Sequence, residues 1–482
     1  MDLIEHKKKT VTGLKWNMIS QVVTQIVTFG IGILLMRLLS PNDFGLIGMV
    51  TVFSGFVAIF KDFGLTHSLI QKKHINLVDK STIFYANVII GALLTIVLFV
   101  AAKYIASFYN SDQLYDITKT IAFIFIIKSL GMVHFALLKR KLEFKKIFYI
   151  NSFTVIFGGA FSVYLALNNY GVWTLVYQQI ITSLSSTILV WVINSWKPDF
   201  VFSFKALKSH LQFGLPLLVS SNITYWSRNV DNLLIGKFFS SQALGLYSRA
   251  YNLMMLPITQ VSRVVSTVML PSLSIIQEDR IRVKILYLKM ARTIAFITFP
   301  MMGILFVATH PLIELVFGVK WLGIIPLLKL FAVMGASQSI GTLSGVIYIS
   351  QAKTKLQFKV SAFNTTIIII AFIIGVQISL YAIALAYLIA HLITLFPMYF
   401  YMGKIINLTL KKILLNILPH ILIAIFLTIL GVFTSNYIKD FINPFQIMIL
   451  SIEYLVGWLI LMKILRPKLF NEFLETLKEF KN

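Results

Sequence analysis

The sequence predicts an all-α integral membrane protein of about fourteen transmembrane helices: two six-helix lobes in a parallel pseudo-two-fold repeat, plus two C-terminal accessory helices. Three observations predict it. Apolar runs long enough to cross a hydrocarbon layer of ~30 Å follow one another down the whole chain. Lysines and arginines gather in alternate connectors. Short motifs recur about 200 residues apart.

Composition sets the class. The chain is 58% hydrophobic and 13% charged, with a mean hydropathy of +0.84. A soluble domain carries roughly 25% charge. Cysteine is absent, which excludes disulfides, thiolate metal sites and cysteine catalysis.

The elements follow in order. The first apolar run, 16–39, is too long for a cleaved signal peptide and has no small-residue cleavage site, so it reads as a retained span. Runs at 44–60, 82–106, 117–138, 147–167 and 172–195 complete a first lobe over 1–200. Runs at 213–237, 245–273, 290–317, 324–350, 360–379 and 381–402 form a second lobe over 201–404. Runs at 413–435 and 445–465 make an accessory pair within 405–465. In the cytoplasmic tail 466–482, Phe470, Phe473, Leu474, Leu477 and Phe480 have the spacing of a surface helix.

Net charge is +25. With the N-terminus inside, 32 of the 43 basic residues fall in inner segments and six in outer ones. That is the positive-inside pattern, and it places both termini on the cytoplasmic side of the cytoplasmic membrane. The basicity is therefore topological. No soluble basic module exists to bind nucleic acid. No connector exceeds about 25 residues and no G-x-x-x-x-G-K-[ST] string occurs, so ATP hydrolysis by this chain is not expected.

The repeat is explicit. LLMRLLSPNDFGLIG ends at Gly48 and LLIGKFFSSQALGLYS ends at Ser248. At an offset of 200, Arg37 meets Lys237, Ser40 meets Ser240 and Gly45 meets Gly245. Later, KLEFK at 141–145 meets KLQFK at 355–359. Six spans per lobe is an even number, so the lobes share one orientation and a substrate path is expected between them.

Polar side chains inside spans are costly, so they face protein or water. Span 1 carries Asn17, Gln21, Thr24 and Thr28 on one face. Span 7 carries Ser221, Thr224, Arg228 and Asp231 at the same steps. A hydrated cavity wall and hydrogen bonding between helices both fit these stripes. Arg228 lies about 13 Å below the outer end of its span, with Asp231 one turn on. An anion-binding arginine and a structural ion pair both fit that spacing. Arg249, Asn252 and Arg263 share a stripe on span 8, Lys128 sits near the middle of span 4, and Lys329 lies in the outer part of span 10. Within spans, acids are few: Asp231, Glu453 and, near an outer end, Glu314. A cavity lined this way is cationic and suits an anion such as a lipid diphosphate. The eight histidines show no metal spacing; His134 and His391 read as packing residues.

LLMRLLSPNDFGLIGMVTVF, FKDFGLTHSLIQKK and RNVDNLLIGKFFSSQALGLYSRAYNLMMLPITQVSRVVSTVMLPSLSIIQED carry a resemblance over nearly the whole chain. They resemble bacterial Wzx-type polysaccharide and O-antigen flippases of the multidrug/oligosaccharidyl-lipid/polysaccharide exporter superfamily, nearest the colanic- and teichuronic-acid exporters. The resemblance implies a non-enzymatic flippase that carries an undecaprenyl-diphosphate-linked oligosaccharide across the membrane by alternating access. It implies cavity cations at Arg228, Arg249 and Arg263, with Asp231 beside them, and a lipid-tail groove at spans 13 and 14. Membrane lipid and polysaccharide polymerase or export proteins would be its partners. No coupling acid matches the family's pattern, so H+ or Na+ stays unassigned, with Asp231 and Glu453 as candidates. A cation-coupled multidrug antiporter of the same superfamily is the alternative, marked by cavity carboxylates. A glycan polymerase or ligase would need a large outer loop, and the longest here is about ten residues.

Overall fold

The computed structural model describes the backbone of residues 3–467, 470 and 471, and their side chains except at 3–8, 212–224, 227 and 262–268. The apolar runs become helices: α1 (Leu3–Leu38), α2 (Pro41–Ile59), α3 (Leu65–Gln71), α4 (Leu77–Tyr109), α5 (Gln113–Arg140), α6 (Phe144–Leu167), α7 (Val172–Ile193) and α8 (Phe204–Phe238). Then come α9 (Ser241–Ile275), α10 (Arg280–Val307), α11 (Thr309–Val316), α12 (Ile325–Ser350), α13 (Thr354–Val376), α14 (Leu380–Ile405), α15 (Leu410–Tyr437) and α16 (Asn443–Leu465). A 3-10 turn, Val319–Ile324, leads into α12. No strand occurs among the described residues. In lipid every backbone polar group needs an internal partner, and a helix supplies one within its own segment.

Among the described residues, twelve helices are long and apolar enough to cross a membrane. With α8 and α9, each 35 residues, the long helices number fourteen. The short α3 lies in a connector, where seven residues are too few to display a helical period, and α11 corrects the expected span 290–317, which breaks at Ala308 into α10 and α11. Many helices overrun their apolar runs because capping side chains set their ends. Asn76 Oδ1 accepts from Asp79 N at 2.7 Å and Asp79 Oδ2 accepts from Asn76 N at 3.1 Å, so α4 begins five residues before its apolar run at 82. Ser40 and Asp43 make the same reciprocal box at the start of α2, with Pro41 in the first turn.

Contacts divide the chain into two compact units, Met1–Gly245 and Leu246–Asn482. In the first, α4 packs along α5, α1 along α6, and α7 against both α5 and α6. There α8 lies on α2, α3 and α4. Tyr225 Oη donates to the Val52 carbonyl at 2.6 Å, and the Trp226 ring packs tilted against Phe56 with centroids 5.2 Å apart. At the foot of α8, His210 Nδ1 meets Ser68 Oγ at 2.5 Å and its Nε2 meets Asp79 Oδ1 at 3.3 Å. Arg140 Nη1 donates to the carbonyls of Leu69, Ile70 and Lys72 at 2.8, 3.0 and 2.6 Å, and Nη2 to that of Lys73 at 2.8 Å. One guanidinium thereby closes the C-terminal end of α3.

The repeat motif has a structural counterpart in the first unit. Ser240 Oγ accepts from Ala243 N at 3.1 Å and caps α9, as Ser40 caps α2. Gly45 and Gly245 lie where the two helix starts touch. A Cβ on Gly45 would sit 1.6 Å from the Ser241 carbonyl oxygen, and a Cβ on Gly245 would sit 1.9 Å from that of Pro41. The contact is reciprocal: each repeat's glycine meets the other repeat's first helical residue.

In the second unit α10 packs on α12 and α15, α12 and α13 on α14, and α15 on α16. Buried Tyr287, Trp458, Tyr454, Tyr399 and Ile347 belong to one apolar cluster. Prolines sit inside α9 (Pro257, Pro271), α10 (Pro300), α14 (Pro397) and α15 (Pro419). Leu415, Leu418, Leu422 and Phe426 are exposed on α15, as lipid-facing side chains should be.

Candidate functional site

The expected site residues fall in both units, and each group is described within its own. In the first unit, Arg228 stands on α8 one turn beyond Tyr225. The Tyr225 hydroxyl reaches the carbonyls of Thr51 and Val52 on α2 because Gly55 has no side chain to block the ring. The helix is thus fixed at the turn that presents Arg228. Arg228 is exposed and makes no ion pair among the described residues. Asp231 is buried at 7% exposure, and its Oδ1 accepts from Asn232 N at 2.8 Å. Lys128 is exposed on α5, within electrostatic range of Lys61 at the end of α2.

The stripe on α1 is exposed to different degrees: Gln21 and Thr28 fully, Asn17 and Thr24 partly. Among the described residues, Asn17, Thr24 and Thr28 make no hydrogen bond to protein. The Thr24 hydroxyl oxygen is itself buried, so only Asn17 and Thr28 present unbonded polar groups on the accessible part of this face. The corresponding Ser221 and Thr224 side chains lie outside the described residues, as does Arg263.

In the second unit, Arg249 is half-buried on α9 and Asn252 is exposed one turn on. Lys329 on α12 holds its ammonium 5.5 Å from the Phe306 ring centroid, a cation–π contact. Phe306 also lines an open cavity of about 420 Å³ whose walls come from α10, α12, α14, α15 and α16. Met302, Ala336, Leu395, Ile421 and Ile429 form much of its wall. The few polar groups there are turned onto protein. Tyr454 Oη donates to the Ala424 carbonyl at 3.0 Å, and Ser337 Oγ to that of Met334 at 2.8 Å. What remains is an apolar slot spanning Leu414 to Ile429 of α15, about 22 Å of helix. Glu453 on α16 accepts from Thr434 Oγ1 at 3.0 Å through Oε1, while Oε2 is buried without a hydrogen-bond partner.

No cluster of metal-ligating side chains occurs among the described residues. His134 is buried, its ring 4.4 Å from that of Trp191. Two features were only partly foreseen or missed. The slot takes one wall from α15 and Tyr454 of α16, the pair at which the resemblance implied a lipid-tail groove, but its remaining walls come from α10, α12 and α14, which no single apolar face announces. The Tyr225 anchor sits beside Arg228, yet an apolar-bodied tyrosine in a span carries no signal of its own. The glycine contact was the detectable one, because both glycines lie at matched positions of the repeat.

The polysaccharide biosynthesis protein family matches residues 34–326. The chain is 28% identical over 405 residues to the lipopolysaccharide biosynthesis protein WzxC of Escherichia coli (strain K12), spanning 83% of this chain and 82% of that one. It is 27% identical over 356 residues to the teichuronic acid biosynthesis protein TuaB of Bacillus subtilis (strain 168), 73% of each chain. Among solved structures it resembles the lipid II flippase MurJ in its inward closed conformation. The TM-score is 0.74 at 18% identity, over 94% of this chain and 99% of that one. At that identity the likeness speaks for the fold.

Proposed function

We propose, from the premise that the chain belongs to the polysaccharide biosynthesis protein family, that it flips lipid-linked oligosaccharide repeat units across the cytoplasmic membrane. The superfamily is that of the multidrug/oligosaccharidyl-lipid/polysaccharide exporters. The substrate is an undecaprenyl-diphosphate-linked oligosaccharide, and both termini are cytoplasmic. The observation that carries this reading is the family match, over more than half the chain.

The site chemistry supports it part by part. Arg228 offers an exposed guanidinium with no carboxylate partner among the described residues, free to take a diphosphate in bidentate fashion. Asn17 and Thr28 offer unbonded polar groups to sugar hydroxyls. The slot in the second unit matches a polyprenyl tail: it is apolar and elongated, and Lys329 lies over Phe306, one of its lining rings. With no P-loop string in the chain, the work is drawn from an ion gradient, H+ or Na+, or from the substrate's own gradient.

The test is export. Cells lacking the chromosomal copy are supplied with wild-type protein or with Arg228→Ala, and surface polysaccharide is measured beside membrane-inserted protein. The wild type should restore export and R228A should not, at equal insertion. Absence of export with the wild type, or accumulation of no lipid-linked intermediate without it, would refute the reading.

A further inference from the structure

The foot of α8 holds a buried imidazole between a hydroxyl and a carboxylate. The His210 side chain is 1% exposed and that of Asp79 7%, while Lys72, which shares the carboxylate, is 42% exposed. His210 Nδ1 lies 2.5 Å from Ser68 Oγ, and Nε2 lies 3.3 Å from Asp79 Oδ1. Lys72 Nζ donates to the same Oδ1 at 3.2 Å, and Asp79 Oδ2 accepts from Asn76 N at 3.1 Å. Ser68 Oγ also lies 2.8 Å from the Leu65 carbonyl oxygen.

These distances give the ring two complete hydrogen-bond sets. A neutral imidazole has one donor and one acceptor nitrogen, and an imidazolium has two donors. In the neutral set Nε2–H donates to Asp79, and Nδ1 accepts from the Ser68 hydroxyl. In the charged set both nitrogens donate, Nδ1–H to Ser68 Oγ, and the Ser68 hydrogen turns to the Leu65 carbonyl. Passing from the first to the second forms one N–H bond and rotates one hydroxyl. The backbone stays where it is.

The charges around the ring decide how readily the second set fills. α8 packs on α2, α3 and α4. Asp79 comes from α4 and Lys72 from the end of α3, and these two are the charged groups that act on the ring. α2 supplies none: Asp43 is engaged by Ser40 at the other end of that helix, and Asp62 beyond it by Thr66. His67 on α3, Lys80 on α4, and Lys205 and Lys208 on α8 are the other ionisable side chains of these segments; Lys73 and His74 are exposed in the α3–α4 connector. The ring bonds to none of them. Arg140 is engaged with the carbonyls that close α3.

His210 precedes the apolar run at 213–237. Burial holds its ring below the ordinary imidazole range; Asp79 opposes that shift and Lys72 adds to it. The neutral set therefore prevails near pH 7, with Lys72 on Asp79. A proton on His210 puts two cations on one carboxylate oxygen. Lys72 is the one with solvent to move into.

We propose that His210 is a proton-binding site at the foot of α8, and that the bound proton displaces the Lys72 ammonium from Asp79. The ligand is H+ and not Na+, because His210 and Lys72 bring nitrogens to the carboxylate, where a hard cation takes several oxygens. The same helix carries Tyr225 and Arg228, so the proton loads the helix that presents the candidate anion-binding residue. The site stands on the first unit alone. It needs no flippase activity, and its failure would leave the reading above intact.

The test uses full-length protein with isotope-labelled histidine, purified in a neutral detergent and titrated from about pH 8 to about pH 5. Ring signals are read by NMR, and His210 is the signal lost in H210Q. Its ring should be the Nε2–H tautomer at the alkaline end and an imidazolium at the acid end. K72Q removes the competing cation and should raise the proton affinity of His210 roughly threefold or more. It should melt as wild type does, since Lys72 is the half-exposed member of the group. K72R, which keeps the charge, should titrate as wild type. Replacing sodium by choline at equal ionic strength should change nothing. A His210 ring that stays neutral throughout overturns the proposal. So do coincident titrations of wild type and K72Q, or a titration that shifts with sodium.

Discussion

Gly45 and Gly245 should be the least replaceable glycines in the first unit. An alanine Cβ at 45 would fall 1.6 Å from the Ser241 carbonyl oxygen, and real Cβ atoms essentially never come within 3.0 Å of such a neighbour. The backbones must part by about 1.4 Å, because the obstacle is main chain and cannot rotate away. At 245 the same arithmetic against the Pro41 carbonyl gives about 1.1 Å. Overpacking on this scale costs about 1–3 kcal/mol, and small residues at helix contacts in membranes exist to avoid it. Gly30 and Gly32 are internal controls, since a Cβ added at either would meet nothing within 4 Å. There alanine should be neutral or stabilising by up to ~1 kcal/mol through helix propensity. Thermal unfolding of the detergent-purified variants measures this. G45A and G245A should each lower the melting temperature, and G30A and G32A should not. The double variant should cost less than the two singles combined, because separating the helices once relieves both clashes. Melting of G45A indistinguishable from that of G30A, or strict additivity of the pair, would refute the geometry.

Three more outcomes are expected. Arg140→Ala removes four hydrogen bonds to carbonyls at the end of α3 and should cost at least ~1.5–3 kcal/mol; Arg140→Lys should recover only part, since an ammonium lacks the guanidinium's fork, and the same melting assay reads both. Ala336→Trp projects an indole into the apolar slot and should reduce export roughly tenfold, about 1.4 kcal/mol, without lowering the melting temperature; unchanged export would remove the slot from the transport path. Lys128→Ala should reduce export at normal membrane insertion while Lys128→Arg retains it; identical export by both would make Lys128 a lipid-facing cation of no consequence.

The long helices were legible because an apolar run of about twenty residues has few other fates, and twelve of them meet that description among the described residues. Their ends were less legible, since ends are set by single side chains such as Asn76 and Asp79, which hydropathy treats as connector. The short helix α3 was invisible for want of length, and the break at Ala308 that separates α11 from α10 was hidden because the apolar run 290–317 continues across it. The α1 stripe shows a different limit. Its spacing identified the face, yet only the lack of protein partners at Asn17 and Thr28 bears on what that face meets.

The slot marks the deeper boundary of sequence reading. A polar site announces itself because charges inside spans are rare, so Arg228 and Lys128 stand out against their apolar neighbours. An apolar site is made of the commonest residues in a membrane chain. Met302, Ala336 and Ile421 differ from lipid-facing neighbours only in what surrounds them. Tyr454 makes the distinction physical: its hydroxyl is tied to Ala424, so the ring faces the slot and its polar end does not. A flippase for an amphipathic lipid needs both kinds of surface. Half of its recognition is therefore written in residue types, and half only in packing.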